Sequence, residues 1–250
     1  MFKFTIDSES KNLEWIEIIK FTKNLTQYVT MICNSENMNI QLMDDSHVSL
    51  LNIDIPSTWF DSYNCEESFT FSFNNNIISK ILSLYTKNTK SEFEVDEEKF
   101  YIHFLNNNEN KYFQVNLVDI DSDILEPQMN DTDLDFSLST KVLDNYLNDL
   151  SIFGENIEIQ CVDDRLKLIT RGDEGELNID IQKDKLDEFN VVDDYEETFQ
   201  YSMKYIQYIT KLKIIFTKIH LFLDKNSPLR ITFEGDIKIN YFVAPKVEDD

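Results

Sequence analysis

Alternation of apolar and polar residues dominates this chain and predicts strands over most of its length. The alternation is clearest in residues 111–117, 176–182 and 229–233. Shorter stretches instead follow the helical period, and they lie near residues 10–23, 76–86, 140–150 and 203–212. The asparagine-rich stretch 100–111 reads as a variable loop. A few short helices among many strands predict an α+β fold.

This pattern repeats with a period of about 130 residues, and a repeat of that length determines the architecture of the whole chain. Residues 2–6, 33–40 and 67–73 match, in the same order, residues 134–138, 161–168 and 197–203. The sequence therefore predicts two structurally equivalent halves, each with two helices packed on antiparallel sheets. Their expected bounds are 1–117 and 132–250, joined by an acidic linker at 118–131.

Charge and composition narrow the functional classes. With 47 acidic and 23 basic residues and a net charge of −24, a uniformly basic surface for nucleic acid is excluded. Four glycines and four prolines leave no glycine-rich phosphate loop, which argues against a nucleotide-binding enzyme. Cys33, Cys65 and Cys161 are too far apart for a C-x-x-C zinc site or a disulfide framework. We expect a reduced, intracellular protein with no membrane span, metal or cofactor.

Positive charge is concentrated on the predicted helices. On the second predicted helix, Lys80, Ser83 and Lys87 are spaced i, i+3, i+7 and therefore share one face. The fourth predicted helix repeats that spacing. Lysine makes point contacts with phosphate, so these helices predict sequence-independent, salt-sensitive DNA binding. The alternative is that these are ordinary solvated lysines, some of which complement a helix dipole. The candidate DNA-binding residues are Lys20, Lys23, Lys80, Lys87, Lys141, Lys204 and Lys211.

A more specific signal is the segment Ile40-Gln-Leu-Met-Asp-Asp-Ser-His-Val-Ser-Leu50. It resembles the signature of the proliferating cell nuclear antigen family, the eukaryotic sliding clamps. Further matches extend the resemblance over the whole chain, and they are Ile78–Leu82, Asp119–Asp121, Pro228–Phe233 and Phe242–Asp250.

The resemblance implies a homotrimeric ring of the DNA-clamp fold, whose helices line a central hole around double-stranded DNA. It implies a processivity factor without catalytic residues, whose partners are a DNA polymerase, a clamp loader and other proteins that carry a short glutamine-and-aromatic motif. It also implies a role in DNA replication and repair, in the nucleus or in a viral replication compartment.

The resemblance further implies a docking pocket for that motif peptide. Its members are mostly apolar, as a pocket for an aromatic anchor requires. They are Met43, His47, Val48, Leu50, Ile124, Leu125, Pro127, Pro228, Phe242, Val243, Ala244, Pro245 and Lys246.

The chain also departs from the family pattern. Asn145 and Asn148 stand on the third helix where the family usually carries a base, so DNA contact there is expected to be weaker. Asp163 replaces the family's modifiable lysine, so no switching by ubiquitin is expected at that position.

Two enzymatic or metal-binding interpretations fail on the sequence. Asp44-Asp45-x-His47 could serve acid–base chemistry, but the histidines are dispersed and the other half has no matching carboxylates. The run from Asp119 to Asn130 begins like a calcium loop but lacks its glycine and final glutamate.

One rival of another class remains open, an accessory or checkpoint-type subunit with the clamp fold that acts as a monomer or in a heterotrimer. The strands at 111–117 and 176–182 distinguish a ring-forming clamp from this rival, because a ring requires them to be sheet edges that pair between subunits.

Overall fold

A computed structural model gives the architecture of residues 1–120, 125, 127, 132–163, 165–192, 195, 197–225 and 227–246. The chain divides into two compact units by its internal contacts. Unit 1 comprises Met1–Asp45, Leu51–Leu125 and Asp236–Lys238. Unit 2 comprises Ser46–Leu50, Glu126–Gly235 and Ile239–Asp250.

The first half of the chain contains two α-helices, α1 at Glu9–Thr22 and α2 at Asn75–Leu82. A short 3₁₀ helix spans Ser57–Trp59. The strands are β1 Phe2–Ile6, β2 Tyr28–Cys33, β3 Asn37–Met43, β4 Ser49–Pro56, β5 Ser62–Asn64, β6 Phe69–Asn74, β7 Lys90–Val95, β8 Lys99–Leu105 and β9 Asn110–Asn116.

The second half repeats that order with α3 at Thr140–Leu150 and α4 at Met203–Ile209. Two 3₁₀ helices span Lys183–Lys185 and Thr210–Ile214. The strands are β10 Leu134–Ser139, β11 Asn156–Val162, β12 Arg165–Gly172, β13 Gly175–Gln182, β14 Glu188–Val191, β15 Thr198–Ser202, β16 Lys218–Leu223, β17 Leu229–Phe233 and β18 Lys238–Val243.

Strand order confirms the duplicated architecture. The order β5-β1-β7-β8-β9 in the first half recurs as β14-β10-β16-β17-β18 in the second. Likewise β4-β3-β2-β6 recurs as β13-β12-β11-β15. Strands β9 and β13 each stand at the end of their order, so the two strands expected to be sheet edges do lie at edges among the described residues.

Buried aromatic and aliphatic side chains hold the helices on the sheets. In unit 1, Phe4 stacks on Phe93 at 4.5 Å, and Trp15 of α1 meets Phe4 edge-on at 5.5 Å. Such aromatic pairs add to the free energy of burial. In unit 2, Leu143, Leu147 and Leu150 are buried on α3 at the spacing of one helix face.

Three expectations from the sequence are wrong in their extent. Helix α4 ends at Ile209 and not near residue 212, because Thr210–Ile214 form a 3₁₀ helix. Residues 100–111 are not a loop, because Phe100, Ile102 and Phe104 alternate inward along β8 and bury almost completely. Helix α2 ends at Leu82 and not near residue 86. There the Ser83 hydroxyl donates to the carbonyl of Ser79 at 2.8 Å, and Asn88 takes a left-handed φ of 58° in the turn that follows.

Candidate functional site

Helix α1 carries two of the candidate lysines at its C-terminal end. Lys20 lies in the last turn, where its Nζ is 3.3 Å from Glu17 Oε1. Lys23 is the C-cap residue and is exposed. A cation at this end complements the helix dipole, so part of the charge on α1 serves the helix itself.

Helix α2 presents Lys80 to solvent, but it does not carry Lys87. Because the helix ends at Leu82, the i+7 spacing no longer places Lys87 on the face of Lys80. Lys87 is instead 82% exposed in the turn beyond the helix, with its Nζ 3.6 Å from Glu9 Oε1. The expected shared helix face of Lys80, Ser83 and Lys87 is therefore wrong, and DNA contact by Lys87 stays a prediction.

Helix α3 shows one exposed base and several neutral side chains. Lys141 lies in its first turn, and Asn145 and Asn148 are exposed farther along. The weaker DNA contact expected of this helix stays a prediction.

Helix α4 and the 3₁₀ helix after it form an aromatic and cationic cluster that was not predicted from the sequence. Lys204 Nζ lies 5.4 Å from the ring centroid of Tyr205 and 5.6 Å from that of Tyr208. Lys211, in the following 3₁₀ helix, lies 4.9 Å from the centroid of Tyr208. These are cation–π distances, which restrict where the lysines point. The i+4 and i+3 spacings around Tyr208 were the available signal.

A second missed feature joins α3 to the 3₁₀ helix after α4. Asp144 is buried and accepts hydrogen bonds from Lys213 Nζ and, at 2.8 Å, from the Thr210 hydroxyl. Burial alone would raise the pKa of Asp144, but the hydrogen bonds from Lys213 and Thr210 hold that pKa below its usual value. Lys213 is thus engaged in an internal ion pair.

Of the candidate docking residues, unit 1 contains Met43 and Leu125. Met43 is half-buried on β3, and Leu125 is exposed. Gln41, two residues before Met43, holds the backbone of Leu125 on both sides. Its Nε2 donates to the Leu125 carbonyl at 2.7 Å, and its Oε1 accepts from the Leu125 N–H at 2.6 Å. Ile124 lies outside the described residues.

Unit 2 contains the remaining docking candidates, and a hydrogen bond joins two of its segments. Ala244 N–H donates to the carbonyl of Val48 at 2.9 Å, which ties the C-terminal tail to the segment of His47 and Leu50. His47 is exposed and has a left-handed φ of 57°. The exposure of the others differs: Leu50, Phe242 and Val243 are buried, Val48, Pro127 and Ala244 are half-buried, and Pro228, Pro245 and Lys246 are exposed.

The edge strands carry incompletely buried apolar rows. On β9, Phe113 and Val115 are half-buried and alternate with exposed polar residues. On β13, Leu177 and Ile179 do the same. A sheet edge leaves backbone donors and acceptors unpaired, so both strands can accept a further strand.

Within the described ranges, two further kinds of feature are absent. No group of three or more His, Cys, Asp or Glu side chains there could hold a metal ion. Nor is any helix in that part of the chain long and apolar enough to cross a membrane. Cys33, Cys65 and Cys161 are buried, and none of the three is in a disulfide bond.

Comparisons with known proteins agree across the whole length. Residues 13–125 match the N-terminal domain model of proliferating cell nuclear antigen, and residues 129–246 match its C-terminal domain model. The chain is 23% identical over 246 residues to "Proliferating cell nuclear antigen 2" of Drosophila melanogaster, covering 96% of each chain. It is 25% identical over 243 residues to "DNA polymerase sliding clamp 1" of Sulfolobus acidocaldarius, covering 92% of this chain and 97% of the relative.

A solved structure shares the fold. The crystal structure of proliferating cellular nuclear antigen from Entamoeba histolytica superimposes with a TM-score of 0.89, at 23% identity, over 98% of this chain and 99% of the other.

Proposed function

The chain belongs to the proliferating cell nuclear antigen family, and from that premise we propose that it is a DNA sliding clamp, a ring that encircles duplex DNA and tethers a polymerase. The match of both family domains, one to each half of the chain, carries this proposal. A tether raises the local concentration of polymerase at its template. This effect needs no catalytic residues in the clamp.

The ring is proposed to be a homotrimer closed by β9 of one subunit and β13 of the next. Pairing these edges would bury the half-exposed rows of Phe113 and Val115 against those of Leu177 and Ile179. It would also satisfy the free backbone groups of both edges. A head-to-tail contact of this kind must close on itself, or it would generate open filaments.

Contact with DNA is assigned to the seven candidate lysines. We expect each to touch phosphate without reading bases, since lysine lacks the rigid fork that pairs with a base edge. Exposure of Lys80, Lys141, Lys204 and Lys211 supports this assignment.

Partner docking is assigned to the apolar set around Met43, His47 and the C-terminal tail. The exposed Leu125, held by its backbone on Gln41, supports a role as an apolar contact for a motif peptide. We propose a DNA polymerase and a clamp loader as partners, a site of DNA replication as location, and domain bounds of 1–117, 118–131 and 132–250.

Solution mass and primer extension test the ring. The wild type should have three times the mass of the chain and should lengthen the products of its polymerase once loaded on DNA. Ile179→Asp places a charge on the half-buried face of β13 and should give monomers that no longer lengthen products, because that charge would be desolvated at the interface. Asn178→Asp, on the exposed face of the same strand, is the matched control and should leave the trimer intact.

A stable wild-type monomer would favour the rival reading as an accessory subunit. A trimer that gives no longer products with its polymerase would contradict the clamp function itself.

A further inference from the structure

A straight row of side chains crosses the sheet β14-β10-β16-β17-β18 of unit 2. The strand register pairs Asn190 with Asp135, Asp135 with Phe222, Phe222 with Arg230, and Arg230 with Phe242. Residues directly opposite one another on antiparallel strands point to the same face of a sheet. Arg230 is therefore flanked on that face by two phenylalanines, one of which is a candidate docking residue.

Phe222 contacts the ring of His220 on its own strand and Arg230 on the next strand. The ring of His220 lies 4.1 Å from its centroid at an interplanar angle of 25°, and Arg230 Cζ lies 3.8 Å from the same centroid. His220 Nε2 is in turn 3.0 Å from Asp135 Oδ1. The contact with Phe222 restricts where the guanidinium of Arg230 lies before any partner arrives.

Arg230 differs from the other two arginines of the chain in having no carboxylate partner among the described residues. Arg165 pairs with Asp180 at 3.2 Å, and Arg171 pairs with Glu158 and Glu176. No described carboxylate approaches the guanidinium of Arg230 within 4.0 Å, although the chain has 47 acidic residues.

The nearest carboxylate in the row is too far away and already engaged. Asp135 lies two strands from Arg230, which is about 10 Å at the usual strand spacing. Its Oδ1 also accepts a hydrogen bond from Asn190 at 3.0 Å. Burial lowers the pKa of Arg230 from its usual value, which reports that the cation is partly desolvated. Partly buried cations are ordinarily paired, so an anion from outside the chain would complete this site.

We propose that Arg230 recognises a carboxylate side chain that flanks the aromatic anchor of the docked partner peptide. This inference rests on the proposed docking function, because Phe242, beside Arg230 on the next strand, and Pro228 belong to the docking set. The planar fork of arginine matches a carboxylate with two parallel hydrogen bonds. A single negative charge also suits the site better than a phosphate dianion, since Asp135 and Glu188 both face His220.

Calorimetry with a scanned set of synthetic peptides tests the proposal on the full-length protein. Each peptide carries the glutamine-and-aromatic motif and either glutamate or glutamine at one flanking position. At one or two positions, glutamate should bind the wild type about five- to tenfold more tightly than glutamine, as a charge-assisted pair predicts. The preference should vanish in Arg230→Met and weaken in Arg230→Lys, which keeps the charge but loses the fork.

Arg165→Met is the matched control, since it removes the same charge from an arginine of the same unit that is already paired. It should keep the preference for glutamate. The glutamine peptide should bind Arg230→Met as tightly as it binds the wild type, which shows that the variant is folded; if it does not, Arg230→Lys carries the test.

Two kinds of failure are distinguishable. A motif peptide that binds the wild type without any preference for glutamate, or a preference that survives in Arg230→Met or is equally lost in Arg165→Met, overturns the role of Arg230 and leaves the docking function standing. Absence of binding by every motif peptide overturns the docking function and this inference with it.

Discussion

Asn12 and Asp144 occupy the same place in the two duplicated units, each equally far along the chain from the start of its first strand. Asn12 is neutral, and its Nδ2 donates to the carbonyls of Ile6 and Ser8 at 3.0 Å each. Its Oδ1 accepts from the hydroxyl of Ser91. Asp144 is a carboxylate that accepts from Thr210 and Lys213. The same strand order thus accommodates a buried neutral amide in unit 1 and a buried carboxylate in unit 2.

The difference sets how each helix pair is tied together. In unit 1 the tie is another buried amide, Asn75, whose Nδ2 donates to Thr22 Oγ1 at 2.8 Å, so no titratable group is part of it. In unit 2 the ties are the ion pair of Asp144 and a hydrogen bond from Gln207 Nε2 to the carbonyl of Leu147 at 3.3 Å, and only the ion pair is titratable. Acid should therefore weaken the helix pair of unit 2 and spare that of unit 1.

The largest expected effect comes from giving unit 1 the residue of unit 2. Asn12→Asp would place a carboxylate at a fully buried site, facing the carbonyls of Ile6 and Ser8 with no cation. An uncompensated buried charge costs about 3–5 kcal/mol of unfolding free energy. Urea unfolding followed by tryptophan fluorescence measures it, because Trp15 and Trp59, the only tryptophans of the chain, lie in unit 1.

The pH dependence of Asn12→Asp gives a further check. Burial should raise the pKa of the new carboxyl above its unfolded value, so the loss of stability is full at neutral pH and shrinks as the group is protonated in acid. Asn107→Asp, on an exposed turn of unit 1, should change stability little at any pH. Equal losses in the two variants would contradict the reading of Asn12.

A smaller effect of opposite pH sense is expected in unit 2. Asp144→Asn removes the charge that Lys213 and Thr210 stabilise, and should cost about 1–2 kcal/mol at pH 7. Because the folded pKa of Asp144 is lowered, its contribution is present above the unfolded value of about 3.9 and is lost as pH falls through the folded pKa.

Hydrogen exchange of residues 140–150 at pH 7 and in acid measures this difference locally. Asp149→Asn, an exposed carboxylate on the same helix, is the control and should leave exchange unchanged. An Asp144→Asn difference that does not shrink as the pH falls would show that the carboxylate charge is not what ties α3.

The sequence predicted the architecture because strand alternation and its repeat are local signals. Helix positions and the two equivalent halves followed from them, whereas the edge position of β9 and β13 was expected only because the family resemblance implies a ring. Helix ends did not: hydrogen bonds at Ser83 stop α2, and Thr210–Ile214 tighten into a 3₁₀ helix, although the apolar spacing continues. Boundaries depend on single backbone bonds that a periodic pattern does not report.

For the candidate site, the sequence predicted which residues are charged or apolar, because these are properties of single residues. The lysines and the apolar docking set could be named, but their pairing could not. Asp144 meets Lys213 from another element, and Phe222 meets Arg230 across a strand register. Such contacts depend on which strands are neighbours, which the sequence alone leaves open.

The smallest expected effect concerns lysine availability on the helices of the two units. Lys20 of unit 1 is paired with Glu17, whereas Lys204 of unit 2 lies over two tyrosine rings.

If both helices face DNA, Glu17→Gln should free Lys20, strengthen binding of a short labelled duplex about twofold and steepen its salt dependence. Lys204→Ala should weaken binding and lower the slope of log affinity against log salt by up to about 0.9. Anisotropy titrations at several salt concentrations measure both, with Glu97→Gln, an exposed residue of the turn between β7 and β8, as the charge-matched control. If that control strengthened binding as much as Glu17→Gln, net charge alone would govern DNA contact, and the contrast between Lys20 and Lys204 would have no functional meaning.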